Sequence, residues 1–218
     1  MRYNYIDFIR GIAFILMIIQ HAYHFRPSNY NMPKSVSLCG EISRTIFIIL
    51  VGVSMRLFYK KKESSIIEKL SINGPYKKTY QTLLCALFVT IISYLLLPSK
   101  NIIFFGVLHF IATATIILKE NSTNIPYVLF IFFLSFFGSN YIKKLGSSNN
   151  IIHLIFGGYT QNRFPLDIFP LFKWLPYVCV GILIGDFLEK FDFNIGTINQ
   201  PIEFIGRNTL YLYILHVI

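Results

Sequence analysis

The sequence predicts an all-α protein, a polytopic bundle of about seven transmembrane helices. The composition is one reason: of 218 residues, 54% are apolar, 17% aromatic and only 14% charged, which is too greasy for an ordinary soluble domain. The spacing of the apolar residues is the second, because they gather into runs of roughly 17–25 residues, the length that crosses a bilayer as a helix. The third is the placement of the basic residues in short connections between those runs, the pattern of the positive-inside rule. A net charge of +10 therefore points to membrane topology and away from a nucleic-acid stripe, and no nucleic acid is expected as a partner.

Seven runs can be marked, at roughly 5–25, 40–59, 79–98, 102–118, 125–142, 166–188 and 202–218. With no internal repeat and no soluble second domain, residues 1–218 read as one integral-membrane domain. The first run, YIDFIRGIAFILMIIQHAYHF, organises the others. At about 100° per residue, Asp7, Arg10, Phe14, Met17, His21 and His24 fall within an arc of roughly 100°, so one face is polar at both ends. Ionisable groups at membrane depth cost roughly 2.5–3.5 kcal/mol each on insertion scales and normally face a bundle interior. Asp7 and Arg10, three residues apart, can pair along the helix; the same pair also reads as an interfacial anchor. Arg10 and His21 stand about 16 Å apart along the axis, so they can line one elongated cavity but cannot touch one small reacting atom. The run holds an acid and an Arg and offers no small-residue cleavage site, so it is expected to be retained.

The second run carries Glu41 and Arg44 one turn apart, then Gly52 and Ser54. Gly52 reads best as a packing glycine that admits a neighbouring helix. Lys60, Lys61, Lys62, Lys69, Lys77 and Lys78 follow it, the densest basic cluster in the chain. The positive-inside rule puts this connection, and with it the amino terminus, in the cytoplasm. The same count puts Lys143, Lys144 and Arg163 outside, against the rule.

The third run has no charge in its apolar stretch and reads as scaffold. The fourth sets Gly106, His109 and Thr113 on one face, and a His in an apolar helix needs either a hydrogen-bond partner or a cavity. The fifth, with its phenylalanines, faces lipid. In the sixth, Asp167, Pro170, Lys173, Trp174 and Pro176 lead the apolar part, so a broken or interfacial helix is expected there. Its Gly181 and Gly185 form a small-xxx-small pair suited to packing. The last holds Glu203 and Arg207 at i,i+4 and ends soon after His216, as a short or truncated span. Cys39, Cys85 and Cys179 have neither metal-ligand spacing nor a disulfide pattern, and no metal is expected.

Taken together, IDFIRGIAFILMIIQH, SRTIFIILVGVSM, FGVLHFI, LDIFPLFKWLPYVCVGILIG and IEFIGRNTLYLYILH resemble the heparan-alpha-glucosaminide N-acetyltransferase-like membrane acyltransferases, in particular the short prokaryotic-type members. The pieces follow the family's order and cover nearly the whole chain. The resemblance implies a multi-span enzyme that moves an acetyl or other acyl group from acyl-CoA to an acceptor amine or hydroxyl, on a sugar, glycan or lipid. It maps Asp7, Arg10, Gly11 and His21 to the first motif, Arg44 and Gly52 to the second and His109 to the third. Asp167 and Trp174 belong to the fourth, and Gly206, Arg207 and His216 to the last. Lys173 stands where a Pro often precedes that Trp, and the extra loop of the large animal enzymes is missing.

On this reading His21 is the expected general base, with an acyl-imidazole route through the same residue also chemically open. Asp7, Arg10, His24, Arg44, His109, Asp167, Trp174 and Arg207 are expected to bind donor or acceptor. Two other classes remain: a family 3-type O-acyltransferase of surface glycans or lipids, whose architecture has about ten spans, and a membrane transporter or scaffold in which ion pairs fix helix register. Membrane lipids surround the chain in each reading, and an oligomer is compatible with all of them.

Overall fold

In the computed structural model, residues 3–24, 32–58, 76–96, 102–146, 150–158, 168–190 and 198–217 are described, and among them every regular element is a helix. The lysine-rich 59–75 connection, Arg163 and Asp167 lie outside the described residues, as do the side chains of His24 and His216. In chain order the helices are α1 (Asn4–His24), α2 (Lys34–Phe58), α3 (Lys77–Leu96), α4 (Val107–Leu118), α5 (Ile125–Lys144), α6 (Ile151–Phe156), α7 (Leu171–Lys190), α8 (Gln200–Arg207) and α9 (Thr209–Val217).

Local chemistry sets several helix ends. Asn124 caps α5 by accepting from Tyr127 N–H at 3.2 Å, with Pro126 in the first turn where its missing N–H is no loss. Asn199 and Pro201 start α8 in the same way. Asn150 caps α6, which stops at Gly157, whose φ of +120° suits only glycine.

Five of the helices, α1, α2, α3, α5 and α7, are long and apolar enough to cross a membrane. The two remaining apolar runs take a different form. The 102–118 run yields only the twelve residues of α4, about 18 Å of helix, after a non-helical lead of 102–106. That lead is anchored: Ser93 Oγ accepts from Ile103 N–H at 3.1 Å, and Thr90 Oγ1 donates to Ile103 C=O at 2.8 Å. Phe105 C=O then accepts from Phe169 N–H at 2.9 Å. Irregular backbone away from water must find such partners. The 202–218 run is divided at Asn208 into α8 and α9. The break expected near Pro170 to Pro176 lies at Pro170, just before α7 starts; the helix continues through Pro176.

Close helix packing is made by glycines. A Cβ on Gly52 would overlap the Val178 carbonyl of α7, and one on Gly181 would overlap the Ile49 carbonyl of α2. Backbones meet there because lipid supplies no hydrophobic drive between helices and tight packing must replace it. Ser43 of α2 donates to Ala13 C=O of α1 at 2.6 Å, and Gly40 lies against Gln20, so α1 and α2 run antiparallel. The core between α2, α4, α5 and α7 is built from Ile48, Phe110, Leu118, Val128, Trp174, Val178, Cys179 and Ile182. Outward, Phe130, Phe133, Phe136 and Phe137 of α5 are exposed. Such a surface suits lipid and not water.

The bundle therefore has two ends. The start of α1 meets the finish of α2 and α7 at one, which we call the Asp7 end. The finish of α1, the start of α2 and the start of α7 define the other, the His21 end.

Candidate functional site

The charges of the Asp7 end are partnered across three helices. Asp7 is 4% exposed and accepts from Arg10 at 2.9 Å; the second Arg10 amino group donates to Ser54 Oγ of α2 at 3.1 Å. From α8, Arg207 Nε approaches the other Asp7 oxygen at 3.6 Å and its Nη2 donates to Glu203 at 3.3 Å. Glu203 is 1% exposed, and its free oxygen accepts from the backbone N–H groups of Ile198 and Asn199 at 2.8 and 3.3 Å. Two carboxylates thus face two guanidiniums, a formally neutral set in which Asp7 Oδ1 and both Glu203 oxygens accept hydrogen bonds and Asp7 Oδ2 faces Arg207. Burial of either acid alone would be prohibitive.

A second network adjoins it at the same end. Arg56 of α2 donates to Asp186 of α7 at 2.6 and 3.1 Å and pairs with Glu189 at 2.8 Å, while Lys190 pairs with Asp186 at 2.8 Å. Sequence reasoning missed it. The available signal was that each helix carries a packing glycine and then an opposite charge within about a turn: Gly52 before Arg56, and Gly185 before Asp186. Just past α4, Lys119 lies over the Tyr76 ring at 4.9 Å. Burial, with repulsion from Lys78, lowers its pKa below the ordinary lysine value, against an opposing pull from Glu120.

The remaining sequence candidates lie toward the His21 end. His21 occupies the last turn of α1 and is partly buried. Arg44 is exposed and donates to the Gly40 carbonyl of its own helix at 3.2 Å; Glu41 is exposed too, and no ion pair joins them among the described residues. His109 Nε2 contacts Thr90 Oγ1 at 3.2 Å, and its ring lies 6.1 Å from that of Phe105. Trp174 is buried against the bundle; Phe169 and Tyr177 flank it at 5.2 and 5.4 Å, with Lys173 Nζ at 5.3 Å.

The structure therefore unites Asp7, Arg10 and Arg207 in one cluster. It leaves His21, Arg44, His109 and Trp174 on four different helices. Among the described residues no group of three or more His, Cys, Asp or Glu is placed to hold a metal ion.

An all-helical chain with five bilayer-length apolar helices, and ionised side chains paired between them, is an integral membrane protein of the polytopic class. The sequence pattern of the heparan-alpha-glucosaminide N-acetyltransferase catalytic region matches residues 2–218, and the chain belongs to that family. Membership carries a membrane acetyltransferase-like function. No curated protein and no solved structure matches the chain.

Proposed function

We propose that the protein transfers an acetyl or other acyl group from acyl-CoA to an amine or hydroxyl of a sugar or glycan acceptor, across or within the bilayer. The observation that carries this reading is the family match over the length of the chain, supported by polar groups at both ends of α1. The lysine-rich connection follows α2 at the Asp7 end, which the positive-inside rule assigns to the cytoplasm. The amino terminus lies on the same side, with α4 and the α8–α9 pair completing seven membrane segments. Acyl-CoA then arrives at a mouth ordered by Asp7, Arg10 and Arg207. Arg10 and His21 are about 16 Å apart along α1, a separation that an elongated donor bridges and a compact one does not.

At the far end His21 serves as general base toward the acceptor, since imidazole titrates near neutrality. An acyl-imidazole on the same residue is the covalent version. Arg44 holds an anionic part of donor or acceptor, or the developing oxyanion. His24, His109, Asp167 and Trp174 complete the binding surfaces, and no metal takes part.

The test is purified protein in vesicles with labelled acetyl-CoA, followed by identification of whatever becomes acylated. His21→Ala should abolish transfer while the protein stays inserted and folded; retained turnover removes His21 from the mechanism. Solute flux without acyl consumption overturns the transferase reading in favour of a transporter.

A further inference from the structure

The hydroxyl of Thr90 has a single hydrogen, and its geometry commits that hydrogen. Thr90 Oγ1 donates to Ile103 C=O at 2.8 Å. The same oxygen lies 3.2 Å from His109 Nε2, and with its hydrogen spent it can only accept there. Nε2 must then carry the ring proton. A neutral imidazole holds one N–H and one bare lone pair, so Nδ1 is the acceptor.

The relay is fixed at its other end as well. Ile103 N–H donates to Ser93 Oγ, which donates to Thr90 C=O at 2.8 Å, so both main-chain groups of Ile103 are held by hydroxyls of α3. The non-helical lead into α4 cannot shift without breaking this ring of bonds. His109, in the first turn of α4, inherits its orientation. Its Nδ1 has no hydrogen-bond partner among the described residues, and the side chain is only half-buried.

We propose that Thr90 and the Ile103 carbonyl hold His109 as its Nε2–H tautomer, so that Nδ1 accepts a hydrogen bond from a donor group of the acyl acceptor beside the one that is acylated, whose own hydrogen goes to His21. Thr90 is the positioning residue and His109 the binding residue. The tautomer assignment stands on the hydrogen bonds alone; its use toward an acceptor rests on the acyltransferase reading above. Acceptors that lack a second donor beside the reacting atom are discriminated against, because the lone pair would then stay unmatched.

Nitrogen NMR of the full chain in lipid, with histidine labelled at both ring nitrogens and His109 assigned through His109→Gln, tests the proposal. The wild type should show His109 Nδ1 as unprotonated and Nε2 as protonated. Added glucosamine should move Nδ1 toward a hydrogen-bonded value. Thr90→Val should mix the tautomers and lower glucosamine labelling from acetyl-CoA by about tenfold, one bond's worth, whereas Thr90→Ser restores both readouts. A protonated Nδ1 in the wild type, an Nδ1 signal indifferent to glucosamine, or a Thr90→Val protein like the wild type in both readouts overturns it. An Nε2–H tautomer with a glucosamine response, in a wild type that transfers no label to any acceptor, overturns the acyltransferase reading and leaves the site a sugar-binding one.

Discussion

Gly206 of α8 lies directly on the backbone of Asp7 in α1: a Cβ there would overlap the Asp7 carbonyl oxygen, and the same crossing sets Gly11 against the Ile202 carbonyl. This contact lets the short α8 bring Arg207 within 3.6 Å of the Asp7 carboxylate. Gly206→Ala should therefore cost about 1–3 kcal/mol, the usual range for overpacking, and should open the Asp7–Arg207 pair. Unfolding in mixed micelles reads the loss. Gly11→Ala should do the same, and the double variant should lose less than the sum, because one crossing is broken either way. Full additivity would show that the two glycines do not share a crossing.

Glu203 offers a cleaner separation of charge from hydrogen bonding. Its Oε1 accepts two backbone N–H groups and its Oε2 meets Arg207. Glu203→Gln keeps an oxygen for the backbone donors, while Glu203→Ala leaves two part-buried N–H groups without it, at about 1–3 kcal/mol. The alanine variant should unfold at clearly lower denaturant than the glutamine variant. Equal losses would assign the effect to the pairing of Glu203 with Arg207 and not to the backbone hydrogen bonds.

Arg56 and Asp186 are 15% and 14% exposed, unlike an ordinary surface pair. Their coupling in a double-mutant cycle, Arg56→Ala against Asp186→Ala, should exceed the roughly 0–1 kcal/mol of exposed pairs. A coupling inside that range would show that the cluster is solvated. Gly185 presses on the Arg56 stem, so Arg56→Ala alone also loses packing, and only the cycle isolates the charge term.

The parts of this fold that were legible in the sequence are those with a local period. The i,i+3 pair of Asp7 and Arg10 and the i,i+4 pair of Glu203 and Arg207 could be read because a helix sets their spacing. Their union into one cluster depends on Gly11 and Gly206, far apart in the chain, meeting face to face. Hydropathy gave five long helices correctly but could not show that 102–106 departs from helix, because apolar residues look alike in either backbone. The hydroxyls that hold this stretch, Thr90 and Ser93, belong to the preceding run, whose uncharged apolar stretch by itself points only to scaffold. Arg56 and Asp186 went unread because a charge near a helix end has an interfacial explanation that suffices by itself.

His153 has the opposite character to His21 and His109. Both of its ring nitrogens are buried without a hydrogen-bond partner among the described residues. Its ring fills the space that a Cβ on Gly158 would need, just after the turn where Gly158 N–H donates to His153 C=O at 2.8 Å. The side chain therefore acts as volume, with polar atoms that gain nothing where they are. His153→Leu should leave stability unchanged or raise it, since removing unsatisfied polar atoms while keeping bulk is neutral or better. Gly158→Ala should destabilise by about 1–3 kcal/mol through overpacking, and His153→Ala in the same chain should recover part of that loss by vacating the space. Acyl transfer should survive His153→Leu while falling in His21→Ala. A His153→Leu protein that folds normally yet transfers nothing would place the chemistry on this short helix and away from α1.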